Sequence, residues 1–351
     1  MFASLSLIQL ILIFSVATAA VWFAGIQLSN YTDIIDKRFG FSQAFGGLIF
    51  LSFATNLPEI AIVGSASLAH NIGIAIGNIL GGIAIQTVVL VLLDAFGLGH
   101  RDPLSYRAAS LQLILEGILV IIVLVITIMG TQLPLTVMYD RVAPGDLLIV
   151  IAWLIGVWLV SISRSQLPWH QKINTSDTFT AARRERTIKF KHDSTAHVIL
   201  MFVIASIVTL AAGVALEESG SAIASHIGLS GVIFGSTILA AITSLPEIST
   251  GLAAVKLGDY TLAFSDIFGG NAFLPVLFMP ATLLSGESVL PQAKNTDIYL
   301  ASLSALLTAV YIYGIIFKYR RQYFCLGIDS IVVTILYIFG MIGLIFITHT
   351  F

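Results

Sequence analysis

The chain has 351 residues, 57% of them hydrophobic and only 10% charged, with a mean hydropathy of +0.98. Soluble domains carry about 25% charged residues, so this composition excludes a soluble globular protein and indicates an integral membrane protein. The net charge of −2, from 17 basic and 19 acidic residues, says nothing about nucleic acid, and no nucleic-acid partner is expected; the single cysteine, Cys325, excludes an internal disulfide and carries no metal motif.

Apolar runs of about 20 residues recur, each long enough to cross roughly 30 Å of hydrocarbon as a helix. Backbone in lipid must satisfy its own hydrogen bonds, which leaves helices or a closed barrel, and runs this long and continuous are not barrel strands. The expected fold is all-α integral membrane, with ten transmembrane helices. In chain order they cover about residues 5–29, 42–68, 72–98, 107–130, 145–164, 196–218, 230–256, 260–285, 297–317 and 328–350. The first run, MFASLSLIQL, has no Lys or Arg and no small-residue cleavage site after it, so it reads as a retained span rather than a signal peptide. One long polar segment, 165–195, separates a first five-helix unit, 1–164, from a second, 196–351. Its Arg183, Arg184, Arg186, Lys189 and Lys191 suit a solvated topogenic loop, with an anionic-lipid or regulatory patch as the alternative.

With both ends of the chain outside, the inner loops hold all but two of the 17 basic residues, and only Arg141 and Lys294 fall outside. That asymmetry predicts the orientation, with segment 165–195 in the cytoplasm and the protein in the plasma (inner) membrane.

The chain also repeats itself. At an offset of 188 residues Gly25 meets Gly213, Leu28 meets Leu216, Gly40 meets Gly228 and Ser42 meets Ser230. Gly47 then meets Gly235, Thr55 meets Thr243, Leu57-Pro58-Glu59-Ile60 meets Leu245-Pro246-Glu247-Ile248, and Gly81-Gly82 meets Gly269-Gly270. Five spans per half is odd, so the second half is expected upside down relative to the first. Inverted repeats are a recurring plan of secondary transporters, with the substrate at the interface near the midplane.

The shared motif is chemically expensive in lipid. Pro58 has no N–H, so the carbonyl of Ala54 loses its helical partner, and Pro246 does the same to the carbonyl of Ile242. Each motif therefore offers a freed carbonyl, the oxygens of Thr55 or Thr243, and a carboxylate, a hard-oxygen set that suits Ca²⁺, Mg²⁺ or Na⁺. A single copy would be compatible with a kink and a protonated helix-to-helix hydrogen bonder. Two copies at matched positions point instead to Glu59 and Glu247 at one site, because a mid-membrane carboxylate is functional by default. Two carboxylates brought together cannot both ionise without compensation, and a divalent cation, two monovalent cations or two protons supply it. A site that trades one positive charge for another is an antiport site.

The two motifs with their Gly-Gly segments resemble the paired alpha repeats of the calcium/cation antiporter superfamily, especially the sodium/calcium exchangers. The likeness is close over spans 2–3 and 7–8. It implies that Glu59 and Glu247 are central Ca²⁺ ligands, joined by oxygens of Thr55, Asn56, Thr243 and Ser244. The family's next segment usually runs Gly-Asn-x-x-Gly-Ser-Asn-x-x-Asn, and its serine and last residue help bind ions. Here it reads GNILGGIAIQ from Gly77 to Gln86 and SDIFGGNAFL from Ser265 to Leu274. Gly82 and Gly270 thus replace the serine, Gln86 and Leu274 stand at the last place, and Asn56 replaces the usual serine before the first proline.

At helical spacing Asn78, Gly82 and Gln86 share a face, as do Asp266, Gly270 and Leu274. Asp266 either returns a carboxylate to that face or serves as a cap or pair near a helix end. The double glycines also suit close helix approach. The departures leave proton coupling or another cation open. Glu116, in the fourth span, and Glu217-Glu218, at the outer end of the sixth, are candidate vestibule or proton-path groups, whereas Asp94, Asp329 and most histidines fall near span ends.

The expected function is Ca²⁺ export in exchange for Na⁺ or H⁺ by alternating access, with spans 1 and 6 moving against a centre of spans 2, 3, 7 and 8. The alternative is a monovalent cation/proton antiporter of the same fold. An intramembrane enzyme is disfavoured, since neither a His-Glu-x-x-His helix nor paired mid-span aspartates occur; a channel of the same architecture is the remaining rival. The expected partners are inorganic cations and membrane lipid; no cofactor is called for beyond the transported ions, and the sequence fixes no oligomeric state.

Overall fold

The computed structural model describes residues 5–39, 52–98, 102–135, 138, 141–166 and 194–350. Its helices in chain order are α1 (Leu7–Phe39), α2 (Ser52–Thr55), α3 (Leu57–Leu68), α4 (Ile72–Leu93), α5 (Leu104–Ala108), α6 (Leu111–Thr131) and α7 (Pro144–Gln166). The second half brings α8 (Thr195–Ile227), α9 (Gly231–Phe234), α10 (Ala240–Thr243), α11 (Leu245–Lys256), α12 (Tyr260–Phe273), α13 (Phe278–Ser285) and α14 (Asn295–Phe317). A two-residue hairpin, β1 (Gln322–Tyr323) against β2 (Leu326–Gly327), then leads into α15 (Ile328–Thr350).

Among the described residues nine helical stretches are long and apolar enough to span a bilayer. The expected second span reduces to α2 and α3, because residues 42–51 lie outside the described residues, as does nearly all of the polar segment, 167–193. The first and sixth expected spans, 5–29 and 196–218, are each 33 residues long in the fold. At about 1.5 Å per residue such a helix outreaches a roughly 30 Å hydrocarbon layer, so it must tilt or project.

The sequence repeat is also a repeat of element boundaries. Leu7–Phe39 recurs as Thr195–Ile227, Ser52–Thr55 as Ala240–Thr243, and Leu57–Leu68 as Leu245–Lys256, all at the same offset of 188. The contacts are exchanged as well: a Cβ on Gly25 would lie 2.5 Å from Pro246 Cγ, and a Cβ on Gly213 would lie 2.6 Å from Ala61 Cβ and 3.0 Å from the Pro58 carbonyl. The two long helices, α1 and α8, pack along each other and lean on the broken segments of the opposite half through these glycines.

Burial sorts the helices into a centre and a shell. The spans Ile72–Leu98 and Tyr260–Ser285 are each 72% buried, whereas Leu7–Thr32, Thr195–Ile227 and Ile328–Thr348 are 22%, 28% and 17% buried. The shell turns Ile8, Phe23, Leu154, Trp158, Phe339 and Phe346 outward, and the centre holds polar side chains, as lipid surroundings require. Central helices approach to backbone contact at Gly81, where a Cβ would lie 2.2 Å from Ser236 Cα, and at Gly77, 2.8 Å from the Val232 carbonyl. Asp94 ties the end of the α4 span to its neighbours, accepting from the amides of Leu104 (2.9 Å) and Gly327 (2.7 Å) and from the Ser330 hydroxyl (2.8 Å).

Gly81→Val should therefore destabilise the fold by about 1–3 kcal/mol through overpacking. Gly64→Ala, whose nearest atom would be 3.9 Å away, should leave the unfolding temperature in detergent unchanged or slightly higher.

Candidate cation site

The proline-glutamate motifs form helix breaks rather than kinks within one helix. α2 stops at Thr55 and α3 starts at Leu57, and α10 stops at Thr243 before α11 starts at Leu245. The junction residues Asn56 (φ −87°, ψ 13°) and Ser244 (φ −82°, ψ 0°) sit in the bridge region. Pro58 and Pro246 take the second place of the new helices, where a missing N–H costs little. Glu59 and Glu247 follow at the third, so each carboxylate lies at the positive end of a helix dipole.

The breaks are held alike in both halves. The Ser52 carbonyl accepts from the Asn56 backbone N–H (3.1 Å), Asn56 Nδ2 (2.6 Å) and the Thr55 hydroxyl (3.3 Å). The Ala240 carbonyl accepts from the Ser244 N–H (3.2 Å), the Ser244 hydroxyl (2.8 Å) and the Thr243 hydroxyl (3.1 Å). The two halves meet here: the Thr243 hydroxyl is within hydrogen-bonding reach of the Glu59 carboxylate, and Glu247 is repelled by both Glu59 and Asp266.

α4 and α12 line the other side. Gln86 Nε2 donates to Glu59 Oε1 at 3.2 Å. The Thr250 hydroxyl lies 2.9 Å from Asp266 Oδ2 and 3.2 Å from the Glu247 backbone carbonyl, joining the third carboxylate to the backbone of the residue that carries the second. Asp266 is midway along α12, so it is not a helix-end cap. Asn78, on α4, is fully buried with both side-chain polar atoms unpaired. All nine side chains expected at the site, those of Glu59, Glu247, Thr55, Thr243, Asn56, Ser244, Asn78, Asp266 and Gln86, are buried.

Three further residues belong to the cluster. Thr250 orients Asp266. Asn271, fully buried, donates from Nδ2 to the Thr87 hydroxyl at 3.1 Å and keeps Oδ1 unpaired; it is the second Asn of the motif quoted above, which was its one sequence signal. Gly270 is the third: a Cβ there would lie 3.0 Å from Asn56 Nδ2 and 3.3 Å from Gln86 Oε1. Of the other acidic candidates, Glu116 binds Ser265 (2.7 Å) and Gln112, and Glu217 accepts from Ser65 (2.9 Å) and Asn71 (3.1 Å).

What remains unpaired defines the chemistry. Glu59 Oε2, both oxygens of Glu247, Asp266 Oδ1, Asn56 Oδ1, Gln86 Oε1 and Asn271 Oδ1 are buried acceptors without donors. Among the described residues no Lys, Arg or His forms an ion pair with Glu59, Glu247 or Asp266. Buried acceptors in such number are costly unless something positive satisfies them, and their oxygen-only character selects hard cations.

Residues 9–171 and 197–346 match the profile of the family described as sodium/calcium exchanger protein. The chain belongs to that family. Inner membrane protein YrbG of Escherichia coli (strain K12) is 26% identical over 293 residues, 83% of this chain and 84% of that one. Putative antiporter CaxA of Alkalimonas amylolytica is 27% identical over 281 residues, 79% of this chain and 82% of that one. The fold is shared with an H⁺/Ca²⁺ exchanger, CAX, at a TM-score of 0.63 and 12% identity over 97% of this chain and 88% of that one. It is also shared with the sodium-calcium exchanger NCX_Mj, at 0.61 and 17% over 96% and 99%. As a sodium/calcium exchanger family member, the chain is an integral membrane cation antiporter.

The crowding of negative charge predicts a stability effect. Glu247→Gln removes one of three repelling groups, so in detergent with chelator at mildly alkaline pH it should melt about 2–4 °C above the parent protein. Melting below the parent would contradict the repulsion.

Proposed function

We propose that the protein exports Ca²⁺ in exchange for Na⁺ or H⁺ by alternating access, with Glu59, Glu247 and Asp266 as the charged ligands. Thr55, Thr243, Asn56, Ser244, Asn78 and Gln86 complete the oxygen surroundings. The observation that carries this is the set of unpaired acceptors around two glutamates from opposite halves, with no basic group among the described residues paired to them. Two carboxylates match a divalent cation in charge, and a third leaves room for a monovalent ion or proton alongside it.

The architecture in this reading is ten transmembrane helices as two inverted five-helix repeats, with α2–α3 and α10–α11 as broken central helices. The exchanged contacts of Gly25 with Pro246 and of Gly213 with Pro58 support it, since a repeat related by rotation in the membrane plane produces such swaps. α1 and α8 form the moving pair, because both are little embedded and each packs, through Gly25 or Gly213, on the motif proline of the opposite half. The protein lies in the inner membrane with both ends of the sequence outside and residues 165–195 in the cytoplasm.

In sealed vesicles, Ca²⁺ flux driven by a Na⁺ or pH gradient should be abolished by Glu59→Gln and by Glu247→Gln; undiminished flux in both rejects the site. The glycines at 82 and 270 and Leu274 favour a second reading, exchange of monovalent cations alone. Failure of Ca²⁺ to compete with bound Na⁺ would select it. Orientation has its own test in Cys325, on the hairpin beside Lys318, Arg320 and Arg321. A membrane-impermeant maleimide should label it from the cytoplasmic side only, and labelling of intact cells from outside would invert the topology.

A further inference from the structure

Residues 318–327 join the last two spans, and their regular structure is the hairpin of β1 and β2. The ladder pairs Gln322 with Gly327 and Tyr323 with Leu326, so Phe324 and Cys325 form a two-residue loop, and both have positive φ (54° and 63°). Such tight turns ordinarily place Asn, Asp or Gly where φ is positive, because a Cβ is strained there. Here one of the two positions holds a phenylalanine that is 97% exposed. A strained backbone that lifts a large apolar ring clear of the protein is unfavourable twice over, and a ring so exposed gains almost nothing from the chain in return.

The base of the hairpin is fixed while its tip is not. The buried N–H of Gly327 donates to Asp94 Oδ2 at 2.7 Å, and Arg320 Nε donates to Asp102 Oδ1 at 2.8 Å, with its guanidinium 5.8 Å from the Tyr106 ring. Lys318 and Arg321 are exposed and form no ion pair among the described residues. Beside them an outward-facing aromatic column runs from the end of α14 into the loop. Tyr313 stacks on Phe317 at 6.1 Å and Phe317 on Tyr319 at 5.9 Å, and each of the three is more than half exposed. Two-residue strands reach only about 7 Å beyond the span ends, so the loop stays at the level of the lipid headgroups.

We infer that the hairpin is a docking site for anionic phospholipid, in which Phe324 enters the boundary between headgroups and acyl chains while Lys318 and Arg321 bind the phosphates. Aromatic rings with a basic rim are the side chains that favour that layer, and each basic group near an anionic surface adds attraction of its own. The charge of the loop selects this occupant over the chain's own polar segment, 165–195, whose Arg183, Arg184, Arg186, Lys189 and Lys191 carry the same sign. A second copy meeting the hairpin face to face would carry that sign too. The Gly327–Asp94 bond fastens the docked hairpin to the end of the α4 span, the helix that carries Asn78 and Gln86. The docking stands independently of the exchange reading.

The test uses the full chain with a nitroxide on Cys325, its single cysteine, in vesicles of phosphatidylcholine alone and of equal parts phosphatidylcholine and phosphatidylglycerol. In the mixed vesicles the label should collide more with oxygen, which concentrates in lipid, than with a neutral water-soluble nickel chelate. That preference should fall in phosphatidylcholine alone, and Phe324→Ser should return the label to water in both. In detergent, Lys318→Gln and Arg321→Gln should each weaken saturable binding of a fluorescent phosphatidylglycerol by about fivefold. The inference is overturned if the parent's label stays in water in the mixed vesicles, or if the two kinds of vesicle give the same access. It is equally overturned if Phe324→Ser changes nothing or if neither basic variant weakens binding. Spin–spin broadening from a nearby second label, or shielding from both reagents in lipid-free detergent, also overturns it, since a second copy or the chain's own segment then covers the tip. The parent's comparison between the two kinds of vesicle decides without any variant, and the cation site is tested separately by flux.

Discussion

Acidic side chains buried with oxygens left unpaired are the constraint around which this molecule is organised. Glu59, Glu247 and Asp266 are buried together with unpaired oxygens, and among the described residues no cationic side chain pairs with them. Such a centre is unfavourable on its own. In the proposed reading an entering cation or proton offsets that cost, so the occupancy of the site and the free energy of the transporter are linked. In that reading an empty site resists closing over bare carboxylates, which is a physical reason for exchange rather than leak.

The rest of the fold follows from getting those charges to one point. Only a broken helix puts a carboxylate at a helix start in mid-membrane, and proline after a bridge-region residue makes that break twice. The most buried spans, α4 and the α12–α13 pair, supply the second wall, and glycines let their backbones close to contact. The outer helices contribute apolar surface to lipid and, through α1 and α8, glycine contacts on the motif prolines. The two halves share a backbone plan but differ in side chains, as where Gln86 of one half corresponds to Leu274 of the other.

Much of this was legible in the sequence because it rests on composition and on period. Long apolar runs gave the spans, and the doubled Leu-Pro-Glu-Ile placed both glutamates and their threonines. Asp266, left open between a site role and a helix-end role, sits beside Glu247 and midway along its helix. What was not legible depends on distance between halves. The breaks at Asn56 and Ser244 look like kinks in one dimension, since proline alone does not say whether a helix resumes. The full length of α1 and α8 was hidden because their polar ends, such as Asn30 to Arg38 and Glu217 to His226, are not hydropathic. The role of Gly270 appears only when Asn56 and Gln86 are brought to it, and Thr250 reads as an ordinary helix residue until the next helix brings Asp266 to 2.9 Å from its hydroxyl.

The most direct measurement is crystallographic: an anomalous difference map from crystals grown with Ca²⁺ or Sr²⁺. The account predicts one strong peak within ligand distance of the Glu247 and Asp266 carboxylates and adjoining Glu59, about 2.3–2.6 Å from oxygen for Ca²⁺. A peak elsewhere in the chain, or glutamates bonded only to protein donors with no ion between them, would contradict it.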